Sequence, residues 1–400
     1  MFRLIRKLFD LDSLISTAIV FSILLFLPVL FSIDFLNPIV STIEQLNISD
    51  IYVSKVQKQT KIPKDSSIVL VNIGNLNRKG IAKQIEILNK YSPKVIGIDT
   101  FFRNLKESGS DSSLAAVLRS VSSLVMVSEL KNYNESSDSW DSLAVSHPIF
   151  TENASTGYAN ISIDANNTKT ARIFTYKQAI KKAEEKSFAV KIAEIAFPSA
   201  INELKSRNND VEIIDFKRNL DKYTHFDAEE VLADTISASK IRNKIVLLGF
   251  LGSNLHADEL EDRYFSPMND KFIGKSFPDI YGLLVHANIL SQIRDKSYIN
   301  SLEPSYSALI IAIFVYFNML FLKKINEKYE IYYEPIVLFT TFGQLAGLMI
   351  LILAIFAYFS FNLQMKEAFI AIGLCPTIFE TYHSSIKGFI SRRKSAKKEL

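Results

Sequence analysis

The chain contains four long apolar stretches, one near its start and three in its last hundred residues, which enclose about 270 mostly polar residues. A helix of about 20 apolar residues is long enough to cross the roughly 30 Å hydrocarbon core of a membrane. This layout predicts a membrane protein with one large extramembrane domain.

The first stretch, at 13–33, has no charged side chain between Leu14 and Ile33. A cleaved signal peptide is the competing interpretation, because Arg3, Arg6 and Lys7 precede it. Signal cores are usually about 7 to 15 residues long and end at small residues. No such site follows Ile33, so the sequence favours an uncleaved anchor.

The positive-inside rule predicts the topology, because short basic segments stay in the cytoplasm. With four crossings every basic cluster lies on one side, whereas an odd number would leave one cluster outside. The predicted segments are a cytoplasmic N-terminus (1–12), a first transmembrane helix (13–33), an extracytoplasmic domain (34–304), a second helix (305–322), a cytoplasmic loop (323–334), a third helix (335–361), a fourth helix (367–383) and a basic cytoplasmic tail (384–400).

The formal charge of +4 lies mainly in these cytoplasmic segments, which indicates contact with anionic headgroups and argues against a nucleic-acid partner. The single cysteine, Cys375, lies in the last apolar stretch, so the outer domain has no disulfide. This suits a multi-pass protein of the bacterial inner membrane with its large domain in the periplasm or exterior.

The pattern in the outer domain predicts an α/β fold with a mostly parallel sheet, crossover helices and a β-hairpin insertion. A helical stalk is predicted at 34–61. Short apolar runs at 67–73, 93–99, 124–127 and 241–249 read as buried strands, with helices at 79–90, 112–121, 188–197 and 281–294. Alternating segments at 158–163 and 171–176 flank a polar turn, which is typical of a hairpin.

The order of these segments resembles the CHASE type-two domain, an extracellular sensory module of bacterial receptors. The matching segments are IVLVNI (68–73), PKVIGIDTFF (93–102), GYANISID (157–164) with the following Arg172, IVLLG (245–249), DRYFSP (262–267) and GLLVHAN (282–288). The likeness covers about 45–299, and three closing transmembrane helices are also similar to the family's arrangement.

Members of that family commonly continue into a cytoplasmic cyclase or kinase, whereas this sequence ends about 18 residues after Tyr382. So few residues cannot form a nucleotide site. The expectation is a member without an output domain, which signals through partner proteins bound by the outer domain or the membrane helices. A homo-oligomer is compatible with this expectation.

Ligands of parallel sheets bind beyond the carboxyl ends of the strands. The candidate ligand-binding residues there are Asn72, Asp99, Gly249, Ser253 and Asn254, together with His286 on the last helix. All of these except Asn72 have a structural alternative: Asp99 as a cap for the next segment, the glycine loop with Ser253 and Asn254 as a tight turn, and His286 as a packing residue. The loop lacks the Lys-Ser/Thr of a P-loop, so no nucleotide cofactor is predicted.

An acidic cluster follows at His256, Asp258, Glu259, Glu261 and Asp262. Its oxygens could hold Ca²⁺, but the spacing matches no calcium loop, and a solvated loop is the simpler interpretation. No metal site is predicted. Because no nucleophile–base or paired-carboxylate pattern is evident, the sequence predicts no catalytic residues and no enzyme.

Within the membrane, Gly343 and Gly347 place small residues along one face of the third helix, and Gln344 lies beside them. This spacing predicts helix packing or a partner interface. No charge lies deep in a span, which argues against a transporter. The predicted function is that of a sensory or regulatory accessory subunit, and the alternative is a structural docking subunit of an envelope assembly.

Overall fold

A computed structural model describes residues 10–31, 48–56, 62–163, 170–181, 183–257, 259–269 and 277–387. The chain forms two compact units, Val53–Ile299 and the combination of Met1–Tyr52 with Asn300–Leu400. We call the first the outer unit and the second the helical unit.

The helices and strands are numbered in chain order. The described helices are α1 (Leu11–Phe31), α2 (Ile48–Ile51), α3 (Arg78–Lys90), α4 (Ser108–Ser120), α5 (Pro148–Thr151), α6 (Phe188–Ala196), α7 (Pro198–Arg207), α8 (Ala228–Leu232), α9 (Gly282–Asp295), α10 (Pro304–Lys328), α11 (Tyr333–Phe359) and α12 (Lys366–Thr381). The described strands are β1 (Asp65–Asn72), β2 (Val95–Asp99), β3 (Leu124–Asn134), β4 (Ser139–Ala144), β5 (Ser155–Tyr158), β6 (Ser162–Ile163), β7 (Ala171–Phe174), β8 (Lys177–Ile180), β9 (Ala183–Lys186), β10 (Glu212–Ile213), β11 (Tyr223–Phe226), β12 (Ile245–Gly249), β13 (Arg263–Tyr264), β14 (Ile280–Tyr281), β15 (Asn300–Ser301) and β16 (Phe361–Asn362).

The main sheet of the outer unit has the strand order β11-β1-β12-β2-β3-β4-β8-β9, with β5 also paired to β3. The strands from β11 to β3, and β5, are parallel, whereas β3 with β4 and β8 with β9 are antiparallel. Every residue of β12 is buried, because helices cover both faces of the parallel part. This explains why its sequence is a continuous apolar run.

Helices α3 and α4 cover one face of the sheet, where Ile85 and Leu118 pack with Ile96 and Met126 in one apolar core. The side chain of Asn77 begins α3 by accepting a hydrogen bond from the Gly80 N–H at 3.0 Å, which satisfies one of the donors left free at a helix start. The predicted crossover helix therefore begins directly after its capping residue, Asn77.

Helix α6 approaches β2 closely on the other side, at Gly97. A Cβ atom on Gly97 would lie 2.6 Å from Ile192 Cδ1 and 2.9 Å from Leu247 Cδ2. Only a residue without a side chain allows this contact.

In the helical unit, α1, α10 and α12 share an apolar core that includes Val20, Val315, Met319, Ala371 and Cys375. Among the described residues, α10 and α11 are long and apolar enough to cross a membrane, judged by length and composition, while the apolar part of α1 is a shorter stretch. Helix α12 has 16 residues and contains Pro376. Two candidate spans are thus found, and four crossings stay a prediction.

The predicted α/β fold with a mostly parallel central sheet is confirmed. The hairpin corresponds to β6 and β7, which pair antiparallel, and its polar turn at 164–169 lies outside the described residues. Most of the predicted stalk at 34–61 also lies outside them, and its described part is α2 followed by a π-helical turn, Tyr52–Val56.

Candidate functional site

The carboxyl ends of three adjacent parallel strands meet at one edge of the main sheet. The strand register pairs Asn72 of β1 with Gly249 of β12, and Gly249 with Asp99 of β2. Three of the predicted ligand-binding residues therefore lie side by side. We call this region the carboxyl edge.

Asn72 at this edge is fully buried and uses its side chain to hold loops. Its Nδ2 donates to Asp227 Oδ1 at 2.9 Å and to the Gly252 carbonyl at 3.0 Å. Its Oδ1 accepts from the N–H groups of Gly74 at 3.0 Å and Leu251 at 2.9 Å. All four hydrogen-bonding positions of the amide are occupied, so Asn72 positions the edge and has none left for a ligand.

Asp227 extends this arrangement to the next loop. It caps α8 in a capping box with Glu230, and its Oδ2 accepts from the Leu255 N–H at 2.9 Å. Asp227 was not predicted as a site residue, although an Asp followed three residues later by Glu is a recognisable capping signal.

A broad groove of about 1060 Å³ opens beside this loop. It contains both predicted loop residues, Ser253 and Asn254. The Ser253 N–H donates to Glu259 Oε2 at 3.0 Å, and Asn254 Oδ1 accepts from the His256 N–H at 2.9 Å. The other polar residues lining the groove are Asn75, Asp221, His225, Asp227, Glu229, Glu230 and His256.

Gly249 permits α9 to pack against the carboxyl edge. A Cβ atom there would lie 2.9 Å from Leu283 Cδ1 and 3.2 Å from Asp99 Cβ. This close approach explains the glycine.

Asp99 and Asp262 form a pair of carboxylates at this edge. Among the described residues, the Asp99 carboxylate has no hydrogen-bonding or ion-pair partner. Burial, together with the negative charge of Asp262, raises the pKa of Asp99 to about 7. Burial and the charge of Glu261 raise the pKa of Asp262 to about 6, partly offset by a backbone hydrogen bond from Gly282. Two carboxylates that both resist ionisation attract protons and positively charged groups.

Aromatic residues lie beside this pair. Burial, together with the negative charges of Asp262 and Asp99, raises the pKa of the Tyr264 phenol to about 12. Arg263 directs its guanidinium over the Tyr281 ring, 4.6 Å from the centroid, and donates from Nη2 to the Tyr281 hydroxyl at 3.1 Å. Tyr264 was not predicted as a site residue and Asp262 was predicted to lie in a solvated loop, although both belong to the DRYFSP segment of the family resemblance.

His286 lies in a different place, lining a cavity of about 20 Å³. Its imidazole is 4% exposed and meets the Phe188 ring edge-on at 5.2 Å. Burial lowers the pKa of His286 to about 4, although a backbone hydrogen bond to Ala159 opposes the shift. The imidazole is therefore neutral at physiological pH.

The residues that the structure describes contain no group of three or more His, Cys, Asp or Glu placed to hold a metal ion. In the predicted acidic cluster, Asp258 lies outside the described residues. Glu259 accepts the Ser253 N–H, which agrees with a loop-stabilising role for this member of the cluster.

In the membrane-helix candidates, Gln344 of α11 donates from Nε2 to Asn318 Oδ1 of α10 at 3.0 Å. Gly343 and Gly347 are exposed. A Cβ atom at either glycine would have no described atom within 4 Å. Gln344 thus joins two helices of the chain, whereas the two glycines form a face that the rest of the described chain leaves uncovered.

The fold and the carboxyl edge define a class of protein, an α/β domain with a mostly parallel sheet that is joined in one chain to long apolar helices. A family model described as CHASE2 domain matches residues 34–320, and the chain belongs to the CHASE2 domain family. No curated protein matches the chain, and no solved structure matches it.

Proposed function

We propose that this chain is a multi-pass membrane protein whose CHASE2 domain lies outside the cytoplasm and acts, without catalysis, as the sensor of a signalling assembly. Four helices, α1, α10, α11 and α12, cross the membrane in this proposal. The outer unit detects a ligand or an envelope partner, and the helices transmit the response to other proteins.

The observation that supports this topology best is a polar network at one end of the helical unit. Lys323 near the end of α10 binds Asp10 at 2.6 Å and Asp12 at 3.5 Å. Lys387, beyond α12, binds the same Asp12 at 2.5 Å, and the Tyr382 hydroxyl donates to Asp12 Oδ1 at 2.9 Å.

The network brings together the start of α1 and the ends of α10 and α12. With α1 starting in the cytoplasm, α10 and α12 both end there after the second and fourth crossings. Four alternating spans require this arrangement, and Lys323 and Lys387 then obey the positive-inside rule.

Two features support a sensor over an enzyme. The chain belongs to a family of sensory domains, and Asn72 and Asp227 use their polar groups to fix loops around the carboxyl edge. The Asp99–Asp262 pair suits binding of a proton or of a positively charged group, because either would relieve the repulsion between two poorly solvated carboxylates.

Purification in mild detergent, followed by thermal unfolding with a panel of small cationic and neutral compounds, tests the proposal. A ligand that binds the folded state raises the melting temperature in a concentration-dependent way. We expect at least one cationic compound to do so, and expect the Asp99→Asn variant to lose the shift while the Asp210→Asn variant, changed at an exposed carboxylate, keeps it.

The docking-subunit alternative predicts a different result from the same material. A partner would then co-purify in stoichiometric amount whether or not any compound is present, and no compound would move the melting temperature. That combination would contradict the sensor proposal.

A further inference from the structure

Two buried polar atoms of the outer unit, His286 Nδ1 and Ser187 Oγ, have no hydrogen-bond partner within 3.5 Å among the described residues. Ser187 is 5% exposed and His286 is 4% exposed. A buried polar group without a partner costs about 1 to 3 kcal/mol, so two such groups in one place call for an explanation.

Both side chains line the same cavity of about 20 Å³. Tyr158 and Thr175 also line it, and the Tyr158 hydroxyl donates to the Thr175 carbonyl at 2.9 Å. A cavity needs roughly 10 to 15 Å³ and two to four polar partners to hold one water molecule. A cavity of about 20 Å³ is large enough for one water molecule, and His286 and Ser187 supply two polar partners.

We propose that this cavity is a binding site for a single structural water, which bridges His286 Nδ1 and Ser187 Oγ. The size of the cavity and the chemistry of the two atoms indicate this ligand, because both atoms need a small group that can donate and accept hydrogen bonds. The water joins two elements of the outer unit, the start of α6 through Ser187 and α9 through His286.

The proposal also assigns the tautomer of His286. A neutral imidazole has one N–H and one accepting nitrogen. Since Nδ1 has no protein partner, the hydrogen bond to the Ala159 backbone uses Nε2–H as the donor. Nδ1 is then the acceptor and requires a donor, which the water supplies while its second hydrogen points to Ser187 Oγ.

The direct test is a structure of the full chain in detergent at a resolution that shows ordered waters. We expect one water-sized peak within hydrogen-bonding distance of both His286 Nδ1 and Ser187 Oγ. The absence of a peak, or density larger than one water, would overturn the proposal.

A double-mutant cycle gives a second, independent test through unfolding of the full chain. Ser187→Ala and His286→Gln should each raise the unfolding equilibrium constant about fivefold, the size expected for one lost hydrogen bond. Because both partners share one water, the double variant should lose clearly less stability than the sum of the single losses. Additive losses would contradict a shared water, and the wild-type structure decides the question if a variant does not fold.

Discussion

Arg294 donates from Nη1 to both carboxylate oxygens of Asp65, at 2.6 Å each. Asp65 begins the first strand of the outer unit, and Arg294 lies in the last turn of α9. The Asp65 side chain is 0% exposed and also accepts from the Ser291 hydroxyl at 2.8 Å. The two ends of the outer unit's chain are therefore fixed to each other by one buried ion pair.

Removing the positive partner of this pair should destabilise the outer unit strongly. Arg294→Leu leaves the Asp65 charge buried without a cation, which costs on the order of 3 kcal/mol. Lys83→Leu removes one side of an exposed pair with Glu86, and should cost less than about 1 kcal/mol. Urea unfolding of both variants checks the difference, and equal losses would show that the buried pair is not a major stabilising contact.

The amide of Asn72 should not tolerate replacement by a carboxylate. Asn72→Asp removes the Nδ2 donor and places a negative charge beside Asp227, so we expect a loss of about 3 kcal/mol from the unsatisfied groups and the repulsion. Asn75→Asp, at an exposed position a few residues on, should change stability by less than about 0.5 kcal/mol. A small effect at Asn72, measured by thermal unfolding, would be incompatible with its assigned positioning role.

The contribution of Asp99 and Asp262 to the stability of the outer unit should fall as pH rises from about 4 to about 7, while His286, whose pKa burial lowers to about 4, contributes in the opposite direction. The raised pKa values of Asp99 (about 7) and Asp262 (about 6) mean that the folded state holds these protons more tightly than the unfolded chain does. The stabilisation is complete below the unfolded pKa near 3.8 and is lost as pH passes the folded values.

The Asp99→Asn variant isolates this effect. It should be more stable than the wild type above about pH 7, by on the order of 2 kcal/mol, because one pKa unit corresponds to about 1.4 kcal/mol. Its unfolding free energy should depend less on pH, whereas Asp210→Asn should retain the wild-type slope. A wild-type slope in Asp99→Asn would rule out Asp99 as a source of the pH dependence.

The glycine face of α11 should be dispensable for folding of the chain itself. Because a Cβ at Gly343 or Gly347 meets no described atom within 4 Å, Gly343→Leu should change the melting temperature by no more than a few degrees. If this face binds a partner in the membrane, the same variant should lose that partner on purification. Gly97→Leu, which would clash with Ile192 and Leu247, is the destabilising comparison.

The parallel sheet could be predicted because β1, β2 and β12 are short apolar runs with a helical pattern between the first two, and their alignment placed Asn72, Asp99 and Gly249 at one edge. The length of β3, which continues to Asn134, could not be predicted. Its second half, with the exposed Tyr133, pairs with β4 and lacks the continuous apolar pattern of a buried strand.

The roles of individual side chains at the carboxyl edge could not be predicted from the sequence. Asn72 and Asp99 look equally polar in the sequence, yet one makes four hydrogen bonds and the other has no partner among the described residues. This difference in hydrogen bonding depends on Asp227, Gly252 and Asp262. Because these residues are remote in sequence, the local sequence around Asn72 or Asp99 does not predict it. The ion pair between Asp65 and Arg294, which are 229 residues apart in sequence, could not be predicted for the same reason.

The central claim, that the outer unit faces away from the cytoplasm, is tested most directly by cysteine labelling in right-side-out membrane vesicles. The native Cys375 is buried in α12 and is first replaced by alanine. Ser136→Cys, exposed in the β3–β4 turn, and Glu327→Cys, exposed at the end of α10, then serve as matched probes. We expect a membrane-impermeant maleimide to label Ser136→Cys in intact vesicles and Glu327→Cys only after permeabilisation. Labelling of Glu327→Cys in intact vesicles, with Ser136→Cys protected, would contradict the account.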